Sequence, residues 1–196
     1  MSLHICPLWI TLLFMKTTKK KTKLSPFWAE VLSWVEVIAI AAAIAFVVNT
    51  FLIANSQVPT SSMENTIMTG DRVFGSRLSY LFEDPKRGDV IIFKWPDNEK
   101  IYFVKRIIGL PGDVVEISDG RVYINGEPLE EPYLKEPMWR GEPDLRYEVP
   151  ENAYFCMGDN RNNSEDARFW ENTFVYRDKI IAKVLIRYFP NIKTIH

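Results

Sequence analysis

The stretch Ser56 to Ile67, SQVPTSSMENTI, crowds the hydroxyls of Thr60, Ser61, Ser62 and Thr66 around Met63. Such a cluster suits either a nucleophile awaiting a base or a solvated turn, because Ser and Thr bond local backbone wherever a chain bends. The usual base is scarce: histidine occurs only as His4 and His196, and His4 precedes an apolar segment of membrane length. A Ser-His-Asp or Cys-His arrangement and a histidine metal site are therefore nearly excluded. Lysine can replace histidine as a base where its surroundings favour the neutral amine. Lys105 is the best placed. In the run KIYFVKRII, strand alternation puts Phe103, Lys105 and Ile107 on one face. An ammonium between such neighbours is desolvated, and lowering its pKa from about 10.4 to about 7 takes roughly 4 to 5 kcal/mol. The alternative is a lysine snorkelling from an edge strand. Arg106, on the opposite face, suits a structural ion pair. The third chemistry-bearing stretch, Gly158 to Arg168, reads GDNRNNSEDAR. It resembles a surface loop or, loosely, a cation-binding loop, but Asp159, Asn160, Asn163 and Asp166 lack calcium-loop spacing, so no metal is expected.

These stretches need elements to hold them. From Val35 to Ala54 only Glu36, Asn49 and Thr50 interrupt an apolar run. About 20 helical residues reach roughly 30 Å, the thickness of a bilayer core. A helix buried in a soluble core would also be apolar all round. Trp28 and Trp34, with Lys16, Lys19, Lys20, Lys21 and Lys23 on one side only, favour an anchor. The positive-inside rule then puts residues 1–34 in the cytoplasm and residues 55–196 outside, on a single-pass protein. Ile5 to Met15 is apolar but too short to span, and it reads either as an interfacial segment or as translation upstream of a true start at Met15.

Beyond the anchor, β-branched and aromatic runs alternate with turn signals. Strands are expected at Asp89 to Trp95, Lys100 to Ile108, Val114 to Ser118, Arg121 to Ile124, Ala153 to Met157 and Ile180 to Tyr188. Asp119-Gly120 and Asn125-Gly126 mark tight turns. The fold class is mainly β: an antiparallel, sandwich- or barrel-like domain with an N-terminal transmembrane helix. Residues 127–144 hold Pro128, Pro132, Pro137 and Pro143, which bars an ordinary central strand. They read as an extended insertion, with Trp139 as the side chain expected to pin it.

Composition narrows the partners. The formal net charge is −1, and 19 of the 24 basic against 23 of the 25 acidic side chains lie from Asn55 onward. This mildly acidic part argues against a nucleic-acid partner. Cys6 and Cys156 flank the apolar segment, so no intramolecular disulfide is expected.

Together the three stretches resemble the type I signal peptidases, membrane-anchored proteases with a Ser/Lys dyad. VPTSSM resembles the family's nucleophile box, YFVKRIIGLPGD (Tyr102 to Asp113) its general-base box and GDNRNNSEDAR its third box, in the family's order from the anchor to Phe189. The resemblance implies an endopeptidase that removes signal peptides from exported preproteins after small residues of Ala-x-Ala type, with no cofactor. It assigns Ser62 as nucleophile and Lys105 as general base, Thr60 to the oxyanion hole, Ser164 to orienting the lysine amine, and Asp166 and Arg168 to bracing the site. Val58, Met63, Ile67, Phe103 and Val104 map to its shallow apolar pockets. The implied partners are signal peptides and the lipid bilayer, the implied location is a bacterial-type plasma membrane, and a monomer is expected. Asn65 stands where proline is usual, Ala167 where serine is common, and Glu171 with Asn172 where glycine is common. The double change Asn65→Pro with Ala167→Ser is expected to shift turnover modestly. The competing reading is a catalytically inactive, membrane-anchored β-domain that binds exported chains. Self-cleaving Ser/Lys repressors would need a DNA-binding N-terminal domain, and a penicillin-binding enzyme would need a Ser-x-x-Lys motif.

Overall fold

The computed structural model describes residues 25–140 and 143–195. The readings placed on the segment Ile5 to Met15, the lysine cluster, His4, Cys6 and His196 lie outside the described residues. The chain forms two units, Met1–Ala43 and Ile44–His196.

The first unit contains most of helix α1 (Pro26–Val47). Pro26 occupies its first position, where no amide partner is needed, and the Ser25 carbonyl accepts from the Ala29 N–H at 3.1 Å. The stretch Pro26–Thr50 is long and apolar enough to cross a membrane. The helix thus starts nine residues before Val35, the expected beginning of the span. It is followed by a π-helical turn, Val48–Leu52, and Ile53 and Ala54 already belong to a strand. Ala54 is buried in the β unit. The apolar run continues because it enters a protein core, and apolarity alone does not separate that from a helix.

The second unit is antiparallel throughout. Its strands are β1 (Ile53–Gln57), β2 (Arg72–Ser76), β3 (Val90–Trp95), β4 (Asn98–Gly109), β5 (Val114–Ser118), β6 (Arg121–Ile124), β7 (Glu127–Pro128), β8 (Leu145–Glu148), β9 (Ala153–Met157), β10 (Val175–Tyr176), β11 (Ile180–Phe189) and β12 (Lys193–Thr194). The larger sheet runs β1-β2-β11-β3-β4-β9-β10, with β12 on β11, and the smaller runs β7-β6-β5-β8. The six expected strands are all present, with ends shifted by no more than two residues.

Two cores form on opposite faces of the larger sheet. Ile91 and Phe93 of β3 join Ile107, Phe155 and the small-sheet residues Val115, Ile117 and Val122 in one cluster. Val90 and Ile92, pointing the other way, join Ala54, Val73, Val184, Met63 and Ile67 in the second. A strand covered on both faces has no polar side to show, which is why β3 reads VIIF without alternation. Lys105 pairs in register with Ile91, and Arg106 with Val90. Residues 127–144 lie between β6 and β8 as expected of an insertion, and among those described Met138, only 5% exposed, is buried in the core, with Leu129 and Tyr133 packed against it. Trp139, expected to pin the segment, is 65% exposed.

Candidate active site

The loop after β1 is shaped by its apolar residues. Met63 and Ile67 are fully buried, and their backbones form a turn in which the Ile67 N–H donates to the Met63 carbonyl at 2.8 Å. The loop closes where the Val58 N–H reaches the Asp71 carbonyl at 3.0 Å and the Gly70 N–H returns to the Val58 carbonyl at 2.8 Å. Pinned in this way, the loop holds Ser62 at a cleft with its hydroxyl oxygen 3.3 Å from that of Thr60.

The GDNRNNSEDAR stretch docks against this loop through backbone and amide groups. The Asn160 N–H donates to the Ser62 carbonyl at 3.0 Å, and Asn160 Nδ2 donates to the Ser61 carbonyl at 3.0 Å. Asn163 Nδ2 reaches Ser61 Oγ at 2.8 Å. Gly158 permits the approach: a Cβ there would lie 2.2 Å from Ser164 Oγ and 2.5 Å from the Ser62 carbonyl oxygen. Ser164 is buried, and its hydroxyl has no hydrogen-bond partner among the described residues. Asp166 is fully buried; it accepts from the Gly158 N–H at 3.0 Å and pairs with Arg168 Nε at 2.8 Å. Arg168 in turn donates to the Arg161 carbonyl at 2.7 Å. Both residues therefore brace the loop that carries Ser164.

Lys105 sits on β4, 3% exposed, with its amine 5.6 Å from the centre of the Phe103 ring. Burial lowers its pKa to about 8. The charges of Asp166, Glu165 and Asp159 oppose that fall and Arg168 reinforces it. The fall is smaller than the shift to about 7 anticipated from apolar neighbours alone, because the charges of three carboxylates favour the ammonium.

A cleft of about 740 Å³ brings Ser62, Lys105 and Thr60 together. Of the expected pocket residues, Val58, Phe103 and Val104 line it; Met63 and Ile67 do not, since they are spent on the core under the loop. Ile101, Tyr102 and Glu165 line it as well, and sequence reasoning missed them. Ile101 and Tyr102 carried a signal, an aliphatic and an aromatic side chain just before the candidate base on an expected strand. Glu165 carried none.

The backbone at Asn65 bears on the expected Asn65→Pro change. Its φ is +86°, which Asn tolerates and proline, held near −65°, cannot adopt. The expected modest effect of Asn65→Pro does not fit this backbone.

An antiparallel β unit with a serine and a desolvated lysine at one cleft defines a candidate serine hydrolase that needs no histidine. Residues 31–189 match the family described as signal peptidase, peptidase S26. A probable signal peptidase I-2 of Synechocystis sp. is 38% identical over 169 residues, covering 81% of this chain and 74% of that protein. The signal peptidase I of Leptolyngbya laminosa is 37% identical, covering 80% and 78%. Signal peptidase I P of Bacillus subtilis subsp. natto is 33% identical, covering 91% and 96%. The chain belongs to the signal peptidase, peptidase S26 family.

Proposed function

We propose that this protein cleaves N-terminal signal peptides from exported preproteins, with Ser62 as nucleophile and Lys105 as general base. The observation that carries the assignment is the buried Lys105, its pKa lowered to about 8, on the same cleft as Ser62. Neutral Lys105 takes the proton from Ser62 Oγ as that oxygen attacks the scissile carbonyl carbon. The oxyanion is held by the Ser62 N–H and the Thr60 hydroxyl. Collapse breaks the C–N bond, and the lysine ammonium returns the proton to the leaving amine. Lys105 then activates the water that releases the acyl group. Ser164 orients the lysine amine, and Asp166 and Arg168 hold the Ser164 loop.

The substrate lies extended along the cleft. Asn98 and Tyr102 to Val104 of β4 pair with β3 but not with β9, whose pairing begins at Arg106. This free edge supplies backbone hydrogen bonds, while Val58, Phe103 and Val104 leave room for small side chains. Helix α1 anchors the protein in the membrane with the N-terminus cytoplasmic and the catalytic unit on the outer face, acting as a monomer. No observation favours the inactive, chain-binding alternative.

The test is incubation with a preprotein whose signal ends Ala-x-Ala, with the product identified by mass spectrometry. Cleavage after the final alanine, blocked when that alanine is replaced by a bulky residue, supports the reading. Binding without cleavage across neutral to alkaline pH overturns it.

A further inference from the structure

The insertion 127–144 had no role in the chemistry above, yet its contacts converge on the loop that carries Ser62. Asn65 Nδ2 donates to the carbonyl of Tyr133 at 3.1 Å and to that of Leu134 at 3.2 Å. One residue earlier, Glu64 pairs with Lys135 Nζ at 2.7 Å. The Lys135 N–H also reaches the Asp159 carbonyl at 3.2 Å. The same short segment therefore grips both loops that flank the serine. The Tyr133 ring lies under the Arg106 guanidinium at 4.0 Å, and Glu131 forms a buried ion pair with Arg161 of the Ser164 loop.

We propose that Asn65 is a positioning residue: through its two bonds to the insertion it fixes the angle at which Ser62 meets Lys105. The proposal rests on Ser62 being the nucleophile. Its physical basis is the position itself. Asn65 is on the surface, with a left-handed backbone, so it adds little to the core. Its side-chain amide donates to two carbonyls of a segment that, among the described residues, no sheet ladder holds between Pro128 and Leu145. The two bonds stiffen the turn by tying it to a neighbouring segment. Misplacing reacting atoms by a fraction of an ångström slows an attack without weakening substrate binding in proportion.

The experiment uses full-length protein in detergent and a preprotein substrate. Asn65→Gly keeps the φ of +86° accessible and removes both bonds, and Asn65→Asp keeps the shape while turning an oxygen toward the two carbonyls. Lys135→Met, alone and combined with Asn65→Gly, removes the second tie. The proposal predicts that kcat for Asn65→Gly falls on the order of tenfold, with KM within about twofold, Tm nearly unchanged and the pH-rate midpoint unmoved. It also predicts a steeper loss for Asn65→Asp and a more than additive change in the double variant with Lys135→Met. Unchanged kcat in Asn65→Gly overturns it, as does a loss that follows Tm and disappears on cooling. Failure of the underlying reading looks different: Ser62→Ala would then cleave as well as the parent.

Discussion

Arg106 and Asp159 form a two-pronged ion pair, Nε to Oδ1 at 2.9 Å and Nη2 to Oδ2 at 2.8 Å, with both side chains almost wholly buried. Thr66 donates to the same carboxylate at 2.5 Å. The residue next to the candidate base is thereby joined to the loop of the candidate nucleophile and to the start of the third stretch. Removing one partner strands a buried charge, so Asp159→Ala should lose about 3 to 5 kcal/mol of stability in chemical denaturation. Replacing both partners with apolar residues, Arg106→Met with Asp159→Leu, should recover part of that loss. A double variant as unstable as the sum of its parts would contradict this account of the pair.

The activity should depend on pH in the direction set by Lys105. Only the neutral amine accepts a proton, so kcat/KM should rise with pH to a plateau, with a midpoint near 8. Glu165 raises the lysine pKa through its charge. Glu165→Gln should move the midpoint to lower pH, as a pH-rate series in constant ionic strength would reveal. An unmoved midpoint would show that this carboxylate does not act on the amine.

Lys105 should also cost stability. Its folded pKa is about 8 against 10.5 for the unfolded chain. Between these values the unfolded state binds more protons, so its contribution to stability rises with pH across that window and the penalty is full below about 8. Lys105→Met should therefore be inactive yet more stable than the parent at pH 7, by up to about 3 kcal/mol. The gap should close as pH approaches 10.5. Denaturation of both proteins at pH 7 and pH 10 checks the sign.

Gly158→Ala tests how closely the two loops must meet. The added methyl collides with Ser164 Oγ and with the Ser62 carbonyl oxygen, so either loop must retreat from the other. Cleavage should fall by about a hundredfold, more than any accompanying loss of folded protein accounts for. Activity within twofold of the parent would mean that this approach is not needed.

The sequence carried the strands that alternate or run apolar between turn signals, as β5 and β6 do around Asp119-Gly120, where both φ values are positive. It concealed β2, whose interior Gly75 reads as a break; that glycine lets β2 lie close to β11, since a Cβ there would be 2.9 Å from the Ala182 Cβ. It concealed β8 as well, a short strand emerging from a proline-rich tract. Phe103, Lys105 and Ile107 were legible on one face because alternation is a local property. Whether Met63 and Ile67 face a substrate or a core was not, because both uses demand apolar side chains, and only the closure of the loop decides. Nor could any pattern show that Tyr133 and Leu134 offer their carbonyls to Asn65, because backbone groups carry no residue-type signal across 68 positions.

The most direct measurement compares the parent, Ser62→Ala and Lys105→Met on one purified preprotein at pH 9, where the lysine of the parent is mostly neutral. Mature product from the parent and none from either variant is the predicted result. Product from Lys105→Met at a rate near that of the parent would contradict the claim that this buried amine activates the serine.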